Sequence, residues 1–368
     1  MKDSKKILIV SSEFPPQPGG IGNHAYNLSK KLTEQGKEVV VYTNNRSKES
    51  IAEEMSFDTR QIFKTIRINR SKLGFLTYFK RILYFFRTFQ REKPDKIVAS
   101  GRFSLWLVGL TIFFHKKEIL GIVHGSEVNL KNKFHRSFTN KALKKFDKII
   151  AVSAYTKKLI SNINKEVTII PNGIEIKDFK FTYKRKNSKE LQLITVGALS
   201  QRKGQHNVIN ALPSLKKQYP DISYHIVGIP SDRDRLLAQA KKLGVEKQIA
   251  IYGVVSQKRL IQLLEDSDIF VMLSEESSDG EIEGFGIAIL EANALGIPAI
   301  GSINSGIESS ILNYKSGLLI DPKDANQLLE AVKMIKQDHN LYAQEARIWA
   351  LEHDWHYIIN KYIKLIES

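Results

Sequence analysis

The chain has 368 residues, 56 Lys and Arg against 39 Asp and Glu for a formal charge of +17, and no cysteine. At about 100–200 residues per domain this length suggests two domains, each able to bury a core, and a hydrophobic content of 42% excludes a disordered chain. The absence of cysteine excludes a disulfide framework, a thiolate zinc site and a cysteine nucleophile.

The charge is unevenly placed. Residues 1–180 hold 34 basic and 16 acidic side chains, or +18, which leaves 22 and 23, or −1, for residues 181–368. The apolar run after the first lysines is too short for a signal sequence, and nothing reaches the roughly 20 apolar residues of a membrane span. The expectation is a soluble, cytoplasmic protein.

In chain order, short β-branched runs at 6–11, 38–43, 65–68, 96–100, 119–124, 148–153 and 167–171 read as strands, with amphipathic helical stretches between them. A polar, basic stretch at 184–190 reads as a linker, after which the pattern restarts at 191–197, 224–228, 249–253, 269–274 and 298–301. Strands alternating with helices build parallel sheets covered on both faces, so the expected fold class is α/β with two doubly wound domains. Such sheets bind ligands beyond the carboxyl ends of their strands, which makes the strand-to-helix loops the segments to search.

The first of these loops is Pro-rich and ends in Gly19-Gly20-Ile21-Gly22 before a helix at 23–35. Glycines before a helix amino end let backbone N–H groups approach an anion, but the spacing is neither a dinucleotide fingerprint nor a P-loop, and taken alone the loop is better explained as a tight turn. The fifth strand ends in Val123-His124-Gly125-Ser126-Glu127, where His124 suits either proton transfer with a substrate or capping. In the second half, Arg202-Lys203-Gly204 follows a strand and precedes a helix; adjacent cations there are unfavourable unless an anion lies between them. Glu283-Gly284-Phe285-Gly286-Ile287 then opens a helix that carries Glu291, so two carboxylates flank a nest of amides at Phe285, Gly286 and Ile287. Asp232-Arg233-Asp234 matches a metal-binding string, but its place at a helix start makes capping the better account.

Taken together, the Gly19–Gly22 loop, the Val123-His124-Gly125 strand end, Arg202-Lys203-Gly204 and the E-x7-E element from Glu283 to Glu291 resemble the retaining glycosyltransferases of family 4. Trp355-His356-Tyr357 onward to Tyr362 also looks like that family's closing helix, which returns to the first domain. The resemblance implies a GT-B fold: two facing Rossmann-like domains, here 1–183 completed by 352–368, and 190–351, with a central cleft. It further implies metal-independent transfer from a GDP- or UDP-sugar, needing no cofactor, to a hydroxyl of a glycan or lipid-linked acceptor, in polysaccharide or glycolipid synthesis. Lys203 and Arg202 would neutralise the diphosphate, and Glu291 would bind the ribose. Glu283, with Gly284 and the Phe285, Gly286 and Ile287 amides, would hold sugar and phosphate, while His124 would approach the sugar and Gly19 and Gly20 the diphosphate. Ala198 stands where many members carry arginine, and Arg202 would compensate.

Within 72–93, Phe75, Phe79, Ile82, Leu83, Phe86 and Phe89 project to one helical face, with Lys80, Arg81, Arg87 and Arg91 opposite. Lys131, Lys133, Arg136, Lys141, Lys144, Lys145 and Lys148 extend the basic surface over 131–148. This pattern suits an anionic membrane surface at the inner face of the cell membrane as well as a helix docked on its own sheet. Another GT-B enzyme, such as a phosphorylase or epimerase, remains a further reading. A nucleic-acid-binding protein is less favoured, because no recognised nucleic-acid motif accompanies the charge, and no nucleic-acid partner is expected.

Overall fold

The computed structural model describes residues 5–47, 49–69, 74–111, 116–181 and 190–368. It divides into two compact units, Met1–Asn172 with Trp355–Ser368, and Gly173–Asp354. The boundary expected at 183 and all of the 184–190 linker except Glu190 lie outside the described residues.

The first unit runs β1 (Lys6–Ser11), α1 (Gly20–Glu34), β2 (Glu38–Asn44), α2 (Ile51–Asp58), β3 (Lys64–Ile68), α3 (Gly74–Glu92), β4 (Lys96–Ser100), α4 (Arg102–Thr111), β5 (Glu118–Val123), α5 (Lys133–Leu143), β6 (Lys148–Ala151), α6 (Ala154–Leu159) and β7 (Val167–Ile169). Its strands form one parallel sheet in the order β3-β2-β1-β4-β5-β6-β7. Because helices cover both faces, β1 can be apolar without alternation, and Ile7, Leu8, Ile9 and Val10 are all wholly buried. Leu8 and Val10 enter a core with Phe85 of α3, Leu105 and Val108 of α4, and Leu143 of α5, which places these three helices on one face.

The packing of α3 corrects the projection drawn from the sequence. Arg81, Phe85, Thr88 and Glu92 are the residues turned inward, whereas Phe79 and Leu83 are 65% and 40% exposed beside the exposed Lys80 and Arg87. Arg81 faces inward because its guanidinium lies 3.8 Å over the Phe103 ring and its methylene stem is itself apolar. The outward face of α3 therefore mixes apolar side chains with cations, where the projection had set them apart. Residues 72 and 73 lie outside the described part of the chain.

Lys145 and Lys148 of the 131–148 stretch are bonded to the protein. Lys148 Nζ binds Glu118 at 2.8 Å and the Leu365 carbonyl at 2.7 Å, and Lys145 Nζ binds the Gly109 carbonyl at 3.2 Å. Lys131, Lys133, Arg136, Lys141 and Lys144 are exposed.

The second unit contains β8 (Gln192–Val196), α7 (Gln205–Gln218), β9 (Ser223–Val227), α8 (Arg233–Lys242), β10 (Ile249–Gly253), α9 (Gln257–Asp266), β11 (Ile269–Met272), α10 (Ile287–Ala294), β12 (Ala299–Ser302), β13 (Gly317–Ile320), α11 (Ala325–Gln337) and α12 (His339–Glu352). Its sheet is also parallel, in the order β10-β9-β8-β11-β12-β13. The sequence reading missed β13. With four residues and a single β-branched side chain it carries little strand signal, and it exists because its register against β12 buries Leu318 and Ile320.

The last helix, α13 (Trp355–Glu367), belongs to the first unit and packs on α1. Trp355, Ile358, Ile359, Tyr362 and Ile366 form its buried ridge. Trp355→Ala should lower the unfolding free energy by about 3–5 kcal/mol, the usual cost of emptying a large aromatic site. Urea denaturation followed by circular dichroism measures this, and a loss below about 1 kcal/mol would show that the tail is not part of the core.

Candidate functional site

Both sheets reverse their direction of growth once. In the first the reversal lies between β1 and β4, and in the second between β8 and β11, so in each unit the loops leaving two adjacent strands splay apart and open a crevice. In the second unit these loops begin at Gly197 and Leu273.

Gln201–Lys203 form a 3-10 turn, and Gly204 caps α7 in the left-handed region at φ 72°. A Cβ at Gly204 would lie 1.7 Å from the Leu273 carbonyl oxygen, so only glycine lets this turn sit directly on the end of β11. The turn aims both of its cations at one carboxylate. Arg202 Nη1 bonds Glu283 Oε2, and Lys203 Nζ reaches the same oxygen at 2.7 Å. Glu283 Oε1 accepts the Gly286 amide at 3.2 Å, and the Glu283 carbonyl accepts the Gly306 amide at 3.0 Å.

The electrostatics follow from this packing. Burial works to raise the Glu283 carboxyl, but Lys203 and Arg202 outweigh it and hold the group down at about 2. Lys203 is lowered by burial even though Glu283 opposes the shift. Burial pushes Glu291 up to about 6, with Lys203 pulling the other way. Of the predicted site residues, the structure thus brings together Arg202, Lys203, Glu283 and Gly286, and sets Glu291 within the field of Lys203. One detail of the expected amide nest changes: the Gly286 N–H is bonded to Glu283, because the loop from Glu283 to Gly286 closes on itself. Ile287 is half-buried at the start of α10, and Phe285 is buried against His353 at 6.2 Å. Gly284 meets Gly306 so closely that a Cβ at Gly306 would lie 2.1 Å from it. Ala198 contributes its carbonyl, which accepts Gln205 Nε2 at 3.2 Å.

Asp232 stands at the N-cap of α8, but its carboxylate makes no capping bond and binds Arg235 at 2.7 Å instead. The expected cap is therefore replaced by an ion pair, which the guanidinium one turn along makes more readily than a poorly aligned backbone amide.

In the first unit, Gly19 caps α1 and accepts the Asn23 amide at 2.9 Å, and Gly20 opens the helix with free space around its Cα. Arg67 fastens the preceding loop by binding the Pro15 carbonyl at 2.5 Å and Asp58 Oδ2 at 2.7 Å. His124 is half-buried directly after β5, with Nε2 at 2.9 Å from Ser100 Oγ at the end of β4. Burial takes its imidazole down to about 4, so it is neutral at pH 7. Glu127, three residues beyond His124, is 2% exposed; Oε1 accepts the His124 amide, and no bond reaches Oε2 among the described residues. Burial raises this carboxyl to about 7, against the opposing pull of the His124 and Glu127 amides and Arg102.

The sequence reading also passed over a polar group beside the cationic turn. Glu275 binds His206 and Gln201, each at 3.1 Å, at the end of β11. Its one signal was an acidic residue immediately after an apolar strand.

Residues 18–178 match the family model described as Glycosyltransferase Family 4, and residues 176–347 match that described as Glycosyl transferases group 1. The chain is 26% identical over 381 residues to a glycogen synthase of Mycobacterium tuberculosis, covering 93% of this chain and 88% of the relative. It is 25% identical over 356 residues to a GDP-mannose-dependent monoacylated alpha-(1-6)-phosphatidylinositol monomannoside mannosyltransferase of Corynebacterium glutamicum, covering 92% and 90%. A sucrose-phosphate synthase structure from Thermosynechococcus elongatus superposes with a TM-score of 0.83 at 20% identity, covering 99% of this chain and 98% of that one. The fold is GT-B. The chain belongs to the family 4, group 1 glycosyltransferases, and it is an enzyme.

A pH prediction follows from Glu127. Its folded value lies above the ordinary 4.5, so the native state holds the proton more tightly and loses stability as pH rises from about 4.5 through about 7. Glu127→Gln, which keeps an acceptor for the His124 amide, should therefore melt higher than wild type at pH 8 and close to it below pH 4.5. Taking the difference from wild type cancels His124 and His24, whose depressed values act in the opposite sense as pH rises toward 6.5. Scanning fluorimetry across this range measures the difference, and a constant offset would mean that Glu127 titrates as it does in the unfolded chain.

Proposed function

We propose that the enzyme transfers a sugar, with retention of anomeric configuration and without a metal, from a GDP- or UDP-sugar to a hydroxyl of a glycan or lipid-linked acceptor. The observation that carries this reading is the convergence of Arg202 and Lys203 on the single carboxylate Glu283 at the head of α10. Breaking the bond between anomeric carbon and phosphate leaves charge on the diphosphate and an oxocarbenium-like sugar, so catalysis needs concentrated positive potential at the diphosphate. Arg202, Lys203 and the amino end of α10 supply it when the diphosphate takes the place of Glu283 as their partner. The departing phosphate accepts the acceptor's proton, which leaves Glu283 no covalent role and frees it for sugar hydroxyls. Glu291 binds the ribose, Gly284 and the Phe285 and Ile287 amides the phosphate, His124 the sugar, and Gly19 and Gly20 the diphosphate, as the family resemblance implies.

The two relatives named above support both acceptor classes, one by a polysaccharide and the other by a lipid-linked product. We place the reaction in cell-surface polysaccharide or glycolipid synthesis at the inner face of the cell membrane. No described helix is long and apolar enough to cross a membrane. The attachment we propose is peripheral, through the outward face of α3 with Phe79, Leu83, Lys80 and Arg87, joined by Lys131, Lys133, Arg136 and the 73% exposed Phe134 of α5. Apolar side chains flanked by cations suit the boundary between acyl chains and anionic headgroups, where each cation adds about 1 kcal/mol.

Thermal-shift screening against GDP-, UDP- and TDP-sugars should give stabilisation by one nucleotide class. Lys203→Met should cut kcat/KM by about 10²–10³, the usual cost of removing a group that stabilises developing charge. Activity should survive EDTA; its abolition, with rescue by manganese, would overturn the metal-free reading. In sedimentation with phosphatidylglycerol vesicles, Lys80→Glu with Arg87→Glu should weaken binding by more than about tenfold at low salt. Wild-type protein that stays in the supernatant would overturn the membrane assignment.

A further inference from the structure

His24 is fully buried on the inner face of α1. Its Nε2 lies 2.9 Å from the Tyr362 hydroxyl of α13, a residue 338 positions away in sequence. Its Nδ1 has no partner among the described residues. The ring packs 5.5 Å from Trp355 and meets the His124 ring at 5.0 Å and 73°, an edge-to-face contact. A leucine or phenylalanine would fill this space without leaving a nitrogen unpaired, so packing alone does not account for an imidazole here. Burial, and after it the neighbouring His124, hold His24 well below its usual value, so it contributes a neutral ring and one hydrogen bond.

The consequence falls on His124. Ser100 Oγ holds its Nε2, and His24 packs against the ring. No protein bond reaches its Nδ1 among the described residues. Whether that nitrogen donates or accepts depends on the tautomer, which is set at Nε2 by how the ring sits against Ser100. The ring packs edge-to-face on His24, and among the described residues the polar partner that holds the rotation of His24 is the Tyr362 hydroxyl.

We propose that the C-terminal helix positions His124: Tyr362, acting through His24, sets the orientation and tautomer of the His124 ring. Tyr362 and His24 are positioning residues for the transfer reaction, and the inference rests on the role proposed above for His124.

The test uses the full chain labelled with 15N in histidine, with long-range proton–nitrogen spectra of wild type and Tyr362→Phe, and His124→Ala to assign its signals. Tyr362→Phe keeps the ring and removes only the hydroxyl. The expected result is a change in the His124 ring nitrogens with the melting temperature nearly preserved. UDP-glucose and GDP-mannose are then followed for release of the nucleoside diphosphate. With whichever donor is turned over, Tyr362→Phe should lower kcat by about tenfold while KM stays within about twofold. In a His124→Ala background the same substitution should add less than about twofold, because its effect passes through His124.

Unchanged His124 signals, or a full multiplicative loss in the double variant, would overturn the inference. Full turnover by His124→Ala would remove the role proposed for His124, while the ring spectra would still decide whether Tyr362 sets its tautomer. If Tyr362→Phe does not fold, His24→Phe, which keeps a ring and removes both nitrogens, is judged by the same spectra and by the same double-variant comparison.

Discussion

Arg202 and Lys203 are neighbours on one tight turn, and two cations so placed repel each other and the amino end of the helix they precede. The turn persists because Glu283 brings a carboxylate between them from a loop about 80 residues further along the chain. That ion triad ties the end of β8 to the head of α10 across the point where the strand order reverses. The surrounding details follow from it: Gly204 must lack a side chain for the turn to reach β11, Gly306 must lack one for the Glu283 loop to close, and Glu291 must lie within the field of Lys203. A half-buried triad of this kind is poorly explained as a stabilising device, since desolvating three charges offsets much of their attraction. It fits the proposed function, in which these cations would keep a protein carboxylate until the donor's diphosphate takes its place.

The first unit uses different physics at the corresponding strand ends. Buried titratable groups take the place of an ion triad there, with His124 and His24 depressed by burial and Glu127 raised by it. The basic character of the unit lies on its helices instead, above all on the outward face of α3 and on α5. One unit is therefore almost neutral in total yet carries an ion triad at its strand ends, and the other is strongly basic in total yet holds its buried histidines neutral at pH 7. A net charge of +17 conceals both facts.

Much of this was legible in the residues. Parallel sheets buried on both faces write themselves as continuous apolar runs, which is why twelve strands could be located and β13, with its weak pattern, could not. Glycines and charged residues at fixed offsets from a strand are local signals, which is why the Gly19–Gly22 loop, Arg202-Lys203-Gly204 and the Glu283–Glu291 element stood out. The orientation of α3 was less legible, because a helix rich in phenylalanine has several apolar faces and a tertiary contact, that of Arg81 with Phe103, helps to select the one turned inward.

Local signals of this kind depend on neighbours within about ten residues, and for them the sequence alone was sufficient to determine the parallel α/β class and where the strand-to-helix loops fall. Tertiary structure alone decided which groups meet. Glu283 reaches both cations, Glu127 is sealed beneath the His124 amide, and Tyr362 touches His24 from the far end of the chain. None of these contacts leaves a periodic or compositional trace, because each depends on where strands reverse and on how one buried side chain excludes water from the next.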